Sequence, residues 1–325
     1  MSKTSIEWAT HVYNAFTGCD RYSAGCAKCF AIPVAAANQR KEPGRERKAL
    51  ELGKPAPRRR YYVDGDPRTS GPGFGFTVHW DKLERPERFP SGARVFVNSM
   101  SDVFHERAPL EAIEALWRVF ASRPDVNWLV LTKRAERMHE VLCGWRDAAE
   151  AFDTAGVPVA PELLDDPDSD SWRRWVDGLA NVWVGVTIEN RSAVDRAQLL
   201  RDTPAAVRFV SAEPLLGPLV PHALTPCGAG LWWHRGELVD RADQPGLDLT
   251  AIDWLIAGGE SGRGHRPMPA EWLVDLRDAC QRAGTAFFFK QWGGQRPTSG
   301  GRELEGRTWN ELPTTRGLPA GSGAR

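Results

Sequence analysis

From residue 94 onward, short apolar runs rich in β-branched and aromatic residues alternate with stretches of helical period, and that alternation points to one class, an α/β fold of βα units around a mostly parallel sheet. The strand-like runs are Arg94–Asn98, Trp128–Thr132, Val182–Thr187, Val207–Ser211, Trp254–Gly258 and Ala286–Lys290. Helices fall between them. One opens at Pro109, a favourable first helical position, and puts Leu110, Ile113, Leu116, Trp117 and Phe120 on one face. Another begins near Ala135. A third spans about Ala270–Ala283 and stops at Gly284, a good residue just past a helix end.

Each run ends in polar or glycine-rich sequence on its carboxyl side, where α/β barrels assemble their sites. The ends read Asn98-Ser99-Met100-Ser101-Asp102, Thr132-Lys133-Arg134, Thr187-Ile188-Glu189-Asn190, Ser211-Ala212-Glu213-Pro214, Gly258-Gly259-Glu260-Ser261-Gly262 and Lys290-Gln291-Trp292-Gly293-Gly294. Any one of these suits a solvated turn. Six together suggest a shared pocket, and a (β/α) barrel, complete or partial, is the expected architecture.

Residues 1–312 are expected to form a single domain, with insertions at about 41–73, 145–180 and 217–250, and 313–325 a disordered tail. A chain of 325 residues is also long enough for two ordinary domains. The 42 basic and 42 acidic residues cancel, so no global field draws the chain to nucleic acid or membrane. Local fields remain, above all Arg58-Arg59-Arg60 in the first insertion, diluted by Glu42, Glu46 and Glu51. Residues 1–7 lack the apolar core of a signal peptide, and no stretch is apolar enough to cross a bilayer, so a cytoplasmic location is expected.

In such a compartment clustered cysteines mean metal more often than disulfide. Three of the six cysteines, Cys19, Cys26 and Cys29, fall within eleven residues in a C-x6-C-x2-C loop with Gly18 before it and Gly25 inside it. Three thiolates from such a loop can hold three irons of a [4Fe-4S] cube and leave the fourth open to a small molecule. A zinc knuckle completed by His11, His105 or a distant cysteine is the other arrangement these residues allow. Cys143, Cys227 and Cys280 are scattered, with Cys280 on the apolar side of its helix.

Thr4-Ser5-Ile6-Glu7-Trp8, the cysteine loop, Val97–His105, Leu131–Arg134, Ser211–Pro218, Gly258–Gly262 and Phe288–Gly293 together resemble a phage and bacterial three-Cys-motif family of unknown function. That family is similar to divergent radical S-adenosylmethionine (SAM) enzymes. The resemblance implies a radical-SAM-like barrel, a [4Fe-4S] cluster on Cys19, Cys26 and Cys29, and SAM chelated to the open iron and cleaved reductively to a 5′-deoxyadenosyl radical. It also implies an electron donor such as flavodoxin or ferredoxin and an unidentified substrate, with nucleic acid or nucleotide among the candidates. The spacing departs from the usual C-x3-C-x2-C, and Lys28 replaces the aromatic residue that normally precedes the last cysteine. Phe30, one position later, is the expected substitute.

On that resemblance Gly258, Gly259, Glu260, Glu189, Ser99 and Asp102 are the expected SAM contacts, and Lys133, Glu213 and Lys290 the expected catalytic groups. Ion pairs of Lys133, Arg134 or Lys290 with Asp102, Glu213 or Glu260 are the structural alternative. The second class of function is a non-catalytic zinc- or cluster-binding protein associated with nucleic acid.

Overall fold

The computed structural model describes residues 3–53, 63–84, 88–155, 178–220, 231–234, 237–240, 246–296 and 299–314. In chain order its elements are β1 (His11–Tyr13), β2 (Phe16–Thr17), α1 (Ala31–Glu51), β3 (Thr77–Val78), α2 (Trp80–Glu84), β4 (Arg94–Val97) and α3 (Leu110–Ala121). There follow β5 (Asn127–Thr132), α4 (Ala135–Ala155), β6 (Val182–Thr187), α5 (Asp195–Asp202), β7 (Val207–Ala212), β8 (Leu231–His234) and β9 (Glu237–Asp240). The last are β10 (Trp254–Gly258), α6 (Ala270–Ala283), β11 (Ala286–Gln291), β12 (Glu303–Leu304) and β13 (Arg307–Thr308).

Seven strands form one sheet in the order β1-β4-β5-β6-β7-β10-β11. The pairs β1–β4, β4–β5, β7–β10 and β10–β11 are parallel, so the α/β class read from the alternation is the class that forms. The outer strands of the sheet are β1 and β11. The chain divides into two compact units, Met1–Gly185 with Asp202–Val207 and Thr315–Arg325, and Val186–Arg201 with Arg208–Thr314.

In unit 1 the core is aromatic. Trp128 is fully buried, with ring centroids 5.8 Å from Tyr13, 5.5 Å from Phe89 and 4.9 Å from Phe120. Helix α3 contributes Ile113, Leu116, Trp117 and Phe120, each fully buried side chain being worth about 1.5–3 kcal/mol. Leu110, expected on that face, is half exposed, because Pro109 is the N-cap and the buried stripe begins at Ala112. In unit 2 all five residues of β10 are buried, as an interior parallel strand requires. Its Trp254 ring meets Phe209 and Phe288, and α6 buries Leu273, Leu276 and Cys280; α6 ends at Gly284 in the left-handed region, φ 72°.

Three expectations change. The first insertion is helical at its start, since α1 runs through residues 41–51 despite Pro43 and Gly44. Its alanines and alternating Arg, Lys and Glu are good helix formers and outweigh one interior proline. Helix α4 likewise extends to Ala155, inside the expected second insertion. The third contains the antiparallel pair β8–β9. Arg58-Arg59-Arg60, the acidic run 165–168, Cys227 and residues 315–325 lie outside the described residues. No described helix is long and apolar enough to cross a membrane.

Candidate functional site

The cysteine loop follows β2, on the carboxyl side of β1 and of its parallel neighbour β4. Gly18 anchors it: its N–H donates to the Met100 carbonyl at 2.8 Å, and its own carbonyl accepts from Ser101 Oγ at 2.6 Å. At φ +81°, with the Gly75 carbonyl where a Cβ would stand, this position admits only glycine. A single 3-10 turn, Ala24–Cys26, then folds the chain back, and Cys29 N–H donates to Cys26 O just before α1 begins. Cys19, Cys29, Ile32 and Met100 pack on Ala31, Ala35 and Phe74, so two of the three thiols share one small apolar cluster.

Burial dominates the chemistry of those two sulfurs. It pushes the Cys19 thiol up to about 12, helped by the negative charge of Asp102 and opposed by Arg134. Cys29 is also raised by burial, while the Ala31 and Ile32 amides at the start of α1 and the Lys133 charge pull it down. In the metal-free protein Cys19 is thus a neutral thiol near pH 7, with its S–H donating to Asp20 O at 3.4 Å. Metal binding would have to displace that proton.

Arg134, 3% exposed, is the hub of unit 1's polar groups. Its Nε donates to Glu106 Oε1 at 3.0 Å, Nη1 to Cys19 Sγ at 3.5 Å and Nη2 to Asp20 O at 3.3 Å. Nη1 also lies 3.5 Å from Asp102 Oδ2, and the guanidinium stacks 5.0 Å from the Tyr22 ring centroid. Asp20 is held just as firmly, by Thr69 Oγ1 at 2.6 Å, Ser70 Oγ at 3.1 Å and Arg107 Nη2 at 2.8 Å. Partial burial alone would raise its carboxyl, but these donors and His105 hold it below the usual range. His105, fully buried and stacked on Phe76, accepts the Arg107 N–H at Nδ1 (3.1 Å). That fixes the proton on Nε2, which donates to Asp20 Oδ2 at 3.1 Å. Burial and the charge of Arg134 keep this imidazole neutral by lowering its pKa.

Of the residues expected at the site, Cys19, Cys26, Cys29, Asp102, Ser99 and Lys133 fall in unit 1. Asp102 accepts from Thr132 Oγ1 (2.7 Å), Phe104 N–H (3.0 Å) and Lys133 N–H (3.1 Å), so it braces the start of α4 as well as facing Arg134. Ser99 Oγ donates to Asn14 Oδ1 at 3.2 Å. Phe30 is 60% exposed and does not supply the aromatic packing expected of it, because the chain turns into α1 there and points it outward.

The other six fall in unit 2. Glu213 and Lys290 pair at 2.9 Å across Gly258, whose strand lies between theirs; a Cβ on Gly258 would stand 3.0 Å from Glu213 Oε1. Glu260 receives Arg266 through N–H (2.9 Å), Nε (3.0 Å) and Nη2 (2.5 Å). Glu189, 1% exposed, pairs with Arg196 at 3.0 Å. Gly259 faces the Trp292 carbonyl so closely that no side chain fits. Both glycines therefore have a packing reason within the protein. The ion-pair alternative holds for Arg134 with Asp102 and for Lys290 with Glu213.

Among the described residues no group of three or more His, Cys, Asp or Glu side chains is arranged to hold a metal ion. Both His105 nitrogens are engaged within the protein, and Cys143 and Cys280 are buried on α4 and α6. The loop offers three soft sulfurs with cationic and amide donors beside two of them, a set that zinc and iron–sulfur clusters both accept.

The molecule is thus a parallel α/β protein that carries a three-cysteine loop just after its second strand, on the carboxyl side of its first. It belongs to the family described as Protein of unknown function (DUF5131), whose model matches residues 3–313. No curated protein and no solved structure matches the chain.

Proposed function

We propose that this protein is a radical-SAM-like iron–sulfur enzyme, built as a partial or complete (β/α) barrel, with Cys19, Cys26 and Cys29 as the ligands of a [4Fe-4S] cluster. The observation that carries the reading is the cysteine loop itself: three thiols on the carboxyl side of a parallel strand, two of them packed on a small apolar cluster, with Arg134 donating to one sulfur and the first amides of α1 to another. Held by Cys19, Cys26 and Cys29, such a cluster would supply an open iron for SAM and the one-electron reduction that cleaves its sulfonium C5′–S bond to methionine and a 5′-deoxyadenosyl radical able to take hydrogen from a substrate. The electron comes from an external one-electron donor of the flavodoxin or ferredoxin type.

The chain's own residues do the holding. Gly18 and Ser101 fix the loop to the segment after β4, Asp20 ties it to Thr69, Ser70, His105 and Arg107, and the apolar contacts of Cys19 and Cys29 partly shield two sulfurs. The roles expected of the unit 2 residues form no part of this proposal. Anaerobic reconstitution with iron and sulfide tests it. The expected result is about four irons and four sulfides per chain, as one cube requires, and 5′-deoxyadenosine from SAM under dithionite. Stoichiometric zinc that resists exchange, with no sulfide and no SAM cleavage, overturns it in favour of a zinc-binding protein.

A further inference from the structure

The charged groups around Cys19 are disposed unevenly. Asp102, 6% exposed, is the nearby negative charge; Arg134, 3% exposed, is the cation that touches both that carboxylate and the sulfur. The guanidinium is locked on every side, by Glu106, Asp20 O, Asp102 and the Tyr22 ring, so it has little freedom to leave Cys19. Its own backbone is fixed as well, with its N–H donating to Thr132 Oγ1 at 2.9 Å.

We infer that Arg134 is a positioning residue that holds the Cys19 sulfur in place and cancels the charge of Asp102 beside it, so that the Arg134–Asp102 pair sets the electrostatic field at one cluster ligand. The part concerning a bound cluster rests on the reading given under Proposed function. The part concerning the sulfur's position does not. Cationic N–H···S contacts favour the more negative, reduced state of a cluster and raise its potential, whereas an unpaired carboxylate lowers it. In Arg134→Gln the carboxylate stays and its partner goes. Asp102→Asn removes the opposing charge, and the double variant removes both, which avoids leaving an isolated buried ion that could itself prevent folding.

The test has two arms. In the metal-free protein, alkylation by iodoacetamide is resolved by cysteine with mass spectrometry. In the double variant, where the group that lowers the Cys19 thiol and the one that raises it go together, labelling of Cys19 is expected to speed by about tenfold or more, the opening equilibrium that one charge-assisted hydrogen bond controls, with Cys143 and Cys280 unchanged. In the reconstituted protein without SAM, redox titration followed by electron paramagnetic resonance is expected to show a more negative midpoint for Arg134→Gln, a more positive one for Asp102→Asn and a value between them for the double variant. Wild-type labelling at Cys19 in the double variant overturns the positioning role, and an unmoved midpoint in all three variants overturns the electrostatic one. A wild-type protein that takes up no cluster defeats the enzyme reading and the electrostatic role with it, while the alkylation arm still decides whether Arg134 positions the sulfur.

Discussion

The two units end their strands in similarly polar sequence, yet they dispose of the charge in different ways. In unit 2 each glutamate closes on a cation: Glu189 on Arg196, Glu213 on Lys290, Glu260 on Arg266. In unit 1 the charges converge on a sulfur. Arg134 divides its donors among Glu106, Asp20 O and Cys19, and the neutral thiol of Cys19 is a group that a metal would convert to an anion. Polar strand ends alone therefore do not mark a reactive centre. What separates the units is whether their cations serve carboxylates that are already charged or a soft donor that becomes charged on binding.

The largest effect that can break this contrast is all-or-none. Cys26→Ala is expected to abolish iron and sulfide retention after reconstitution, whereas Glu213→Gln is expected to leave both at wild-type levels, measured as metal and sulfide per chain. Cys26 is only partly buried, so its loss is expected to cost stability no more than an ordinary surface change, within about 0.5 kcal/mol. A strong fall in stability with metal content preserved would reverse the roles assigned to the two units.

Next in size is the buried pair of unit 2. Glu189→Gln leaves Arg196, which also donates to Thr187 O at 2.6 Å, without its charged partner, and is expected to cost about 3 kcal/mol in denaturant unfolding. Replacing both, Glu189→Leu with Arg196→Met, is expected to be near neutral. If Glu189→Gln proves harmless while SAM binding collapses, Glu189 serves a ligand and the contrast fails.

Acid should single out unit 1. His79 is buried beside Thr17, and burial, with the charge of Lys82, lowers it to about 4; His105 is lowered too. Both imidazoles are neutral in the fold, and in the unfolded chain they take up protons below about 6.5. Stability is therefore full above that value and falls as pH drops from about 6.5 to about 4, with His79 alone contributing about 2 kcal/mol after allowance for solvent. Urea midpoints at pH 7, 5.5 and 4.5 check this, and His79→Gln is expected to flatten the slope.

Much of the fold was legible because βα units announce themselves over long, periodic segments: β5, β6, β10 and α6 lie within a residue of the boundaries their patterns indicate. Strand β1 was not, since three residues carry no period, and α1 hid behind Pro43-Gly44 and its charges. The cysteine loop was legible from spacing alone. Its supports were not: Asp20 meets His105 and Arg107 across 85 and 87 positions, and nothing local in the chain signals either contact. The Glu213–Lys290 pair depends likewise on strand order, which puts β10 between β7 and β11.

The smallest effect bears on that pair. Gly258 reads equally well as a residue that lets a ligand approach the backbone or as one that lets Glu213 reach Lys290, and a Cβ there, 3.0 Å from Glu213 Oε1 and 3.5 Å from Lys290 Cβ, separates the two. Gly258→Ala forces the carboxylate aside at about 1–3 kcal/mol, offset by the about 0.4–1 kcal/mol that alanine gains by restricting the unfolded chain, for a net loss of about 1 kcal/mol. In a Glu213→Ala background the obstacle is gone, so the same substitution is expected to be neutral or slightly stabilising. A thermal or urea double-mutant cycle reads the difference directly. A cycle with no coupling between the two positions would mean that the glycine is not there for the ion pair, and would turn the carboxyl end of β10 back into a candidate ligand site.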